Sequence, residues 1–140
     1  AWIAHPDYKT EMCLELVTRS NISGLSHKER VFLAAILLFR HKAKPEKVFN
    51  MRFFKIISRK KRKIALVIGR GLRLASTFFG EKNLLDKIDF SLRADEVKLH
   101  FQSKVACING QVVERRIEEL NKAIKSCVIV ETKKNKFFNS

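Results

Sequence analysis

Residues 58–76 read SRKKRKIALVIGRGLRLAS, five consecutive cations from Arg59 to Lys63 running into an apolar stretch that holds Gly69 and Gly71. Ser58 is a suitable N-cap and Gly80 a suitable stop, so the stretch is expected to form the longest helix, Arg59–Phe79. Ile57, Ile64, Ile68, Leu72, Ala75 and Phe79 recur at helical spacing and are expected to face the core. Each glycine costs about 1 kcal/mol against alanine in a helix, a cost that makes sense where a neighbour packs on the backbone.

The cations set the functional question. The chain has 140 residues and a net charge of +15, distributed unevenly. Residues 40–73 hold thirteen Lys/Arg against Glu46 alone, whereas residues 1–39 are neutral and residues 74–140 carry a net +3. Lys42, Lys44, Lys47, Arg52 and Lys55 lead into the run. Like charges at this density repel unless a polyanion offsets them. The alternative is a solvated helix face. On a helical wheel Arg59, Lys63 and Arg70 fall near one line, with Arg62 and Arg73 further round. That distribution suits a flexible phosphate chain better than base readout.

Upstream, Pro6 and Asp7 suit a first helical turn, with Tyr8, Met12, Leu16 and Val17 as its inward stripe. NISGLS (21–26) is a loop. Ser26 and Glu29 form a capping box for a second helix, buried through Val31, Ala34, Ala35, Leu38 and Phe39. Arg40, His41 and Lys42 close that helix, where they either complement its C-terminus or contact phosphate. Pro45 restarts a third helix.

After residue 80 the period changes to two. Ile88, Phe90 and Leu92, then Val97, Leu99 and Phe101, alternate with polar residues around a turn at ADE (94–96). A helix follows Asn109–Gly110, with Val113, Ile117, Leu120 and Ile124 on one face, then a strand at CVIVET (127–132) and a frayed basic tail at 133–140. The expected class is α+β: a helical subdomain over 1–80, then a small β-β-α-β layer over 84–132.

AHPDYKTEMCLELV (4–17), GLSHKERVFLAAILLFRHK (24–42) and VIGRGLRLAS (67–76) stand in the order and spacing of the C-terminal region of exopolyphosphatase/guanosine pentaphosphatase proteins. The chain resembles that family over roughly residues 1–126. The resemblance implies that residues 1–80 adopt a helical fold related to the HD phosphohydrolases, ahead of a small α/β segment. It also implies that catalysis, with Mg²⁺, belongs to upstream actin-like domains that this chain does not match. The chain starts at Ala1 without Met, as a piece cut from something longer would. Its implied role is to bind inorganic polyphosphate, and to dimerise, for a cytoplasmic hydrolase that releases terminal phosphate.

The site expected on that basis is Arg40, His41, Lys42, Arg59, Lys60, Arg62, Lys63, Arg70 and Arg73, with no catalytic residue and no cofactor in this chain. His5 and Asp7 read either as helix-start groups that cap the chain or, with His41, as remnants of an HD metal site. Pro6 interrupts the doublet, and Ala75–Ser76 replaces the Ala–Asp common in active members, so no metal is expected. His27 and His100 read as surface residues, and Cys13, Cys107 and Cys127 as reduced thiols outside any CxxC pair. An RNA- or DNA-binding module is the alternative, carried by the charge but without stacking aromatics among the cations or a recognised motif. An HD-type metal phosphohydrolase is the third reading. No apolar run reaches the roughly twenty residues of a membrane span.

Overall fold

The computed structural model describes residues 6–41, 43–78, 88–93, 96–101 and 110–138. The chain falls into two compact units, Ala1–Gly69 and Arg70–Ser140. The expected seam at 80–87 lies outside the described residues.

In the first unit, α1 (Pro6–Arg19) packs on α2 (His27–Arg40). Val17 is buried, but Met12 and Leu16 of the expected stripe are exposed. Among the described elements α2 is the principal neighbour of α1, so only a narrow face is covered. The capping box forms as the sequence indicates: the Glu29 amide donates to Ser26 Oγ at 3.3 Å, and the Ser26 amide to Glu29 Oε2 at 2.7 Å. Val31, Ala34, Ala35, Leu38 and Phe39 are buried, joined by Ile36. A short α3 (Pro45–Asn50) and a 3₁₀ turn (Arg52–Ile56) follow. They contribute Val48 and Phe54 to the core, and Ile57 completes it before α4 (Arg59–Ser76) begins.

Helix α4 departs from the expected burial. Ile64, Ile68 and Leu72 are 37%, 38% and 44% exposed. The enclosed line runs instead through Ala65, Gly69 and Arg73, four residues apart, with Leu66 and Leu74 beside it. At Gly69 the cause is the approach of α2. A Cβ on Gly69 would lie 2.6 Å from Phe39 Cβ and 2.7 Å from the Ile36 carbonyl oxygen. Only a backbone without a side chain fits there, so the seam follows the smallest residues and turns the largest apolar ones outward. Gly71 is different, since nothing lies within 4 Å of its added Cβ.

The N-terminus of α4 is capped as expected, Ser58 Oγ accepting from the Lys61 amide at 3.2 Å. Its end comes at Ser76, earlier than the expected Phe79. Thr77 and Phe78 amides donate three residues back, to Leu74 and Ala75 carbonyls, tightening the last turn. Ser76 and Thr77 hydroxyls both donate to the Arg73 carbonyl, which gives the chain a local alternative to a further helical turn.

In the second unit, β1 (Ile88–Arg93) and β2 (Glu96–Phe101) form an antiparallel hairpin with Ile88 opposite Phe101 and Arg93 opposite Glu96. It matches the alternating pattern. Helix α5 then runs from Gly110 to Phe138, with Val113, Leu120 and Ala123 buried and Ile117 and Ile124 half-buried. The expected strand at 127–132 and frayed tail at 133–140 are corrected by this helix, which continues through both as far as Phe138. The β-β-α-β layer therefore becomes a hairpin and one long helix. No Gly or Pro stands between Gln111 and Phe138 to stop the helix. Extending a formed helix gains a hydrogen bond for each residue fixed, whereas the β-propensity of Val128, Ile129 and Val130 acts only where a partner strand is present.

Candidate functional site

Residues 45–56 form two small elements, α3 and the 3₁₀ turn, each with one fully buried side chain, Val48 and Phe54. In the first unit Arg40, Lys44, Lys47, Arg52, Lys55, Arg59, Lys60 and Lys61 are all exposed, and Glu46 is the single acid of the stretch. Lys63 is half-buried. A surface of this kind offers several exposed ammonium and guanidinium groups, which is the chemistry of multivalent contact with a linear anion.

The other expected site residues are differently placed. His41 is half-buried and ends α2 through its backbone, its amide donating to the Leu37 and Leu38 carbonyls at 3.1 Å. Arg62 turns inward: Nη1 donates to the Phe49 carbonyl at 2.7 Å, and the guanidinium carbon stands 5.8 Å from the centre of the Phe49 ring. It holds α3 against α4. Arg70 and Arg73 belong to the second unit. Arg70 pairs with Glu119 at 3.5 Å with its side chain 11% exposed, and Arg73 is 5% exposed. Burial pushes the Arg73 guanidinium below its ordinary pKa. Glu119 opposes that shift, while Arg116, Arg70 and Arg115 add to it.

Lys42 and His5 lie outside the described residues; Asp7 falls in the first turn of α1, and its side chain is not described. Ser76 Oγ is engaged by the Arg73 carbonyl at 2.7 Å. Among the described residues no group of three or more His, Cys, Asp or Glu converges as a metal site. Nor is any helix among them long and apolar enough to cross a membrane.

Lys61 and the four cations from Lys44 to Lys55 join the exposed set although only their neighbours were picked out as site residues. Their signal was the charge run itself. Glu114, Glu118 and Glu119 surround Arg115 and Arg116 in sequence, so the doublet reads as compensated.

A protein-family model described as "Exopolyphosphatase, C-terminal" matches residues 1–128. The chain belongs to the exopolyphosphatase C-terminal family. The match takes in the whole of the first unit and most of the second, and both basic regions of this exopolyphosphatase C-terminal domain fall within it. No curated protein matches the sequence.

Proposed function

We propose that the chain is the polyphosphate-binding region of an exopolyphosphatase-type hydrolase, with catalysis and Mg²⁺ in separate domains of the parent protein. The observation that carries this reading is the row of exposed cations from Arg40 to Lys61, opposed within residues 40–73 by Glu46 alone. Each contact displaces counterions from the phosphate chain, so binding is multivalent, salt-sensitive and indifferent to bases. Family membership agrees with a phosphoanhydride polymer as the partner.

Self-association is the second part of the proposal. Its support is the pair Ile64 and Ile68, one turn apart and each more than a third exposed on α4.

The deciding experiment compares long-chain polyphosphate, single-stranded RNA and duplex DNA of matched charge across a salt series. Tighter binding of polyphosphate with a steep salt dependence is expected. A preference for RNA or a flat salt response overturns the reading. The half-buried Phe49 and Phe53 make edge contacts with Phe39 and Phe54, an arrangement that favours packing over base stacking. Sedimentation of the chain, with Ile68→Glu as the control, tests self-association.

A further inference from the structure

Within the second unit, and among the described residues, several arginines gather near the Glu119 carboxylate where residues 70–77 meet α5. Arg70 Nη1 lies 3.5 Å from Glu119 Oε2. Arg116 Nη1 donates to Thr77 Oγ1 at 2.7 Å and to the Arg73 carbonyl at 3.3 Å. Arg115, exposed, adds its field to the same point. At the centre Arg73 is 5% exposed, and its Nη1 is enclosed without a hydrogen-bond partner among the described residues; Arg116 Nε is in the same condition. Among the described residues Glu119 is the acid whose charge acts on Arg73, and its carboxylate is shared with Arg70. A buried donor of this charge is normally paired.

We propose that this cluster is a site for a single phosphate-type oxyanion, with Arg73 Nη1 at its base and Arg70, Arg115 and Arg116 around it. A tetrahedral dianion brings several acceptor oxygens and the charge that the four guanidinium groups call for, and planar guanidinium forks match it in paired hydrogen bonds. The exposed lysines of the first unit suit a polymer lying along a surface. The enclosed Arg73 suits one group. Arg115 is the outer member, so the anion reaches the base by displacement of its flexible side chain. The unmet Arg116 Nε offers the anion a hydrogen bond while Nη1 keeps its bond to Thr77. The oxyanion is either free orthophosphate or the terminal phosphoryl group of a short polyphosphate. The site stands on the second unit alone, so it survives or fails independently of the exposed surface.

The test is thermal melting and isothermal titration of the full 140-residue chain with sodium phosphate against sodium chloride at matched ionic strength. Orthophosphate is expected to raise the melting temperature saturably, with one site per chain. Arg115→Gln should weaken that affinity about tenfold, as loss of one charge-assisted hydrogen bond does. Lys125→Gln, which removes the same charge from an exposed position on α5, should leave it unchanged. Arg73→Met should abolish the response; if that variant does not fold, the Arg115 and Lys125 pair still decides. The paired variant Lys60→Ala/Lys61→Ala should retain the orthophosphate response whatever happens to long-chain binding. Tripolyphosphate that competes with orthophosphate at one site identifies the terminal phosphoryl group as a source, and orthophosphate binding without that competition identifies the free anion. No saturable response to either probe, or equal weakening by Arg115→Gln and Lys125→Gln, overturns the proposal.

Discussion

Arg116 reaches from α5 to place Nη1 2.7 Å from Thr77 Oγ1 and 3.3 Å from the Arg73 carbonyl, tying the last turn of α4 to a residue 39 positions further along the chain. The Arg73 carbonyl also accepts from Ser76 and Thr77 hydroxyls, so one oxygen at the end of α4 collects three donors. Carbonyls at a helix end have no intrahelical partner, and a cation there also meets the negative end of the helix dipole. Arg116→Gln is expected to lower stability by about 1–2 kcal/mol, as loss of a charge-assisted hydrogen bond does. Thr77→Val should reproduce part of that loss, and a double-mutant cycle by urea unfolding should show the two effects to be coupled. Strict additivity would mean that the contact contributes nothing.

The two glycines of α4 should answer oppositely to alanine. At Gly69 the new methyl group meets a backbone oxygen at 2.7 Å, and α2 must move to admit it. Gly69→Ala is expected to destabilise by about 1–3 kcal/mol, as overpacking does. Gly71 has open space, so Gly71→Ala should stabilise by up to about 1 kcal/mol through helix propensity alone. Chemical denaturation of both variants checks the pair, and equal signs would refute the close approach of α2.

Stability should depend on pH through the capping box. Hydrogen bonds from the Ser26 side chain and then its backbone amide hold the Glu29 carboxyl below its ordinary 4.5, with Lys61 contributing less. A group whose folded value is depressed stabilises the fold fully above its unfolded value, and that contribution disappears as the pH falls through the folded value. The stability difference between the wild type and Glu29→Gln should therefore be constant above 4.5 and shrink below it. Ser26→Ala should lower stability by about 1 kcal/mol at neutral pH. Melting curves at a series of pH values show whether the difference shrinks.

Contact arginines and packing arginines should separate in a salt titration. Each exposed cation that touches a polyphosphate chain should carry about 0.7 of the log–log salt slope, by analogy with single-stranded nucleic acid. Lys47→Ala and Lys55→Ala are expected to flatten the slope by about that amount each, with the melting temperature unchanged. Arg62→Met should do the reverse, lowering the melting temperature while leaving the slope alone, because its guanidinium is engaged with Phe49. Fluorescence binding assays at four or five salt concentrations would distinguish them.

Local chemistry made much of this legible in advance. Ser26 and Glu29 announce the start of α2, Ser58 that of α4, and the alternation from Ile88 to Phe101 the hairpin, because each signal acts within a few residues. The charge of residues 40–73 is likewise a property of the sequence alone. The strand at 127–132 misled because β-branched composition says nothing about whether a neighbouring strand is available, and here a helix already under way continued through it.

By itself the sequence determined the helical elements of the first unit, the hairpin, the family and the strong positive charge, all of which depend on neighbours in the chain or on composition. Tertiary structure decided which face of α4 is buried and which arginines are exposed. Ile64 and Ile68 have the pattern of core residues, yet α2 approaches at Gly69, where the lack of a side chain lets the helices come closest. That choice turns the larger side chains outward. Arg62, Arg70 and Arg73 read as members of one cationic run, but the three-dimensional positions of Phe49, Glu119 and Arg116 set these three apart from the exposed cations. Charge belongs to the sequence, whereas burial, which sets what a charge can do, belongs to the fold.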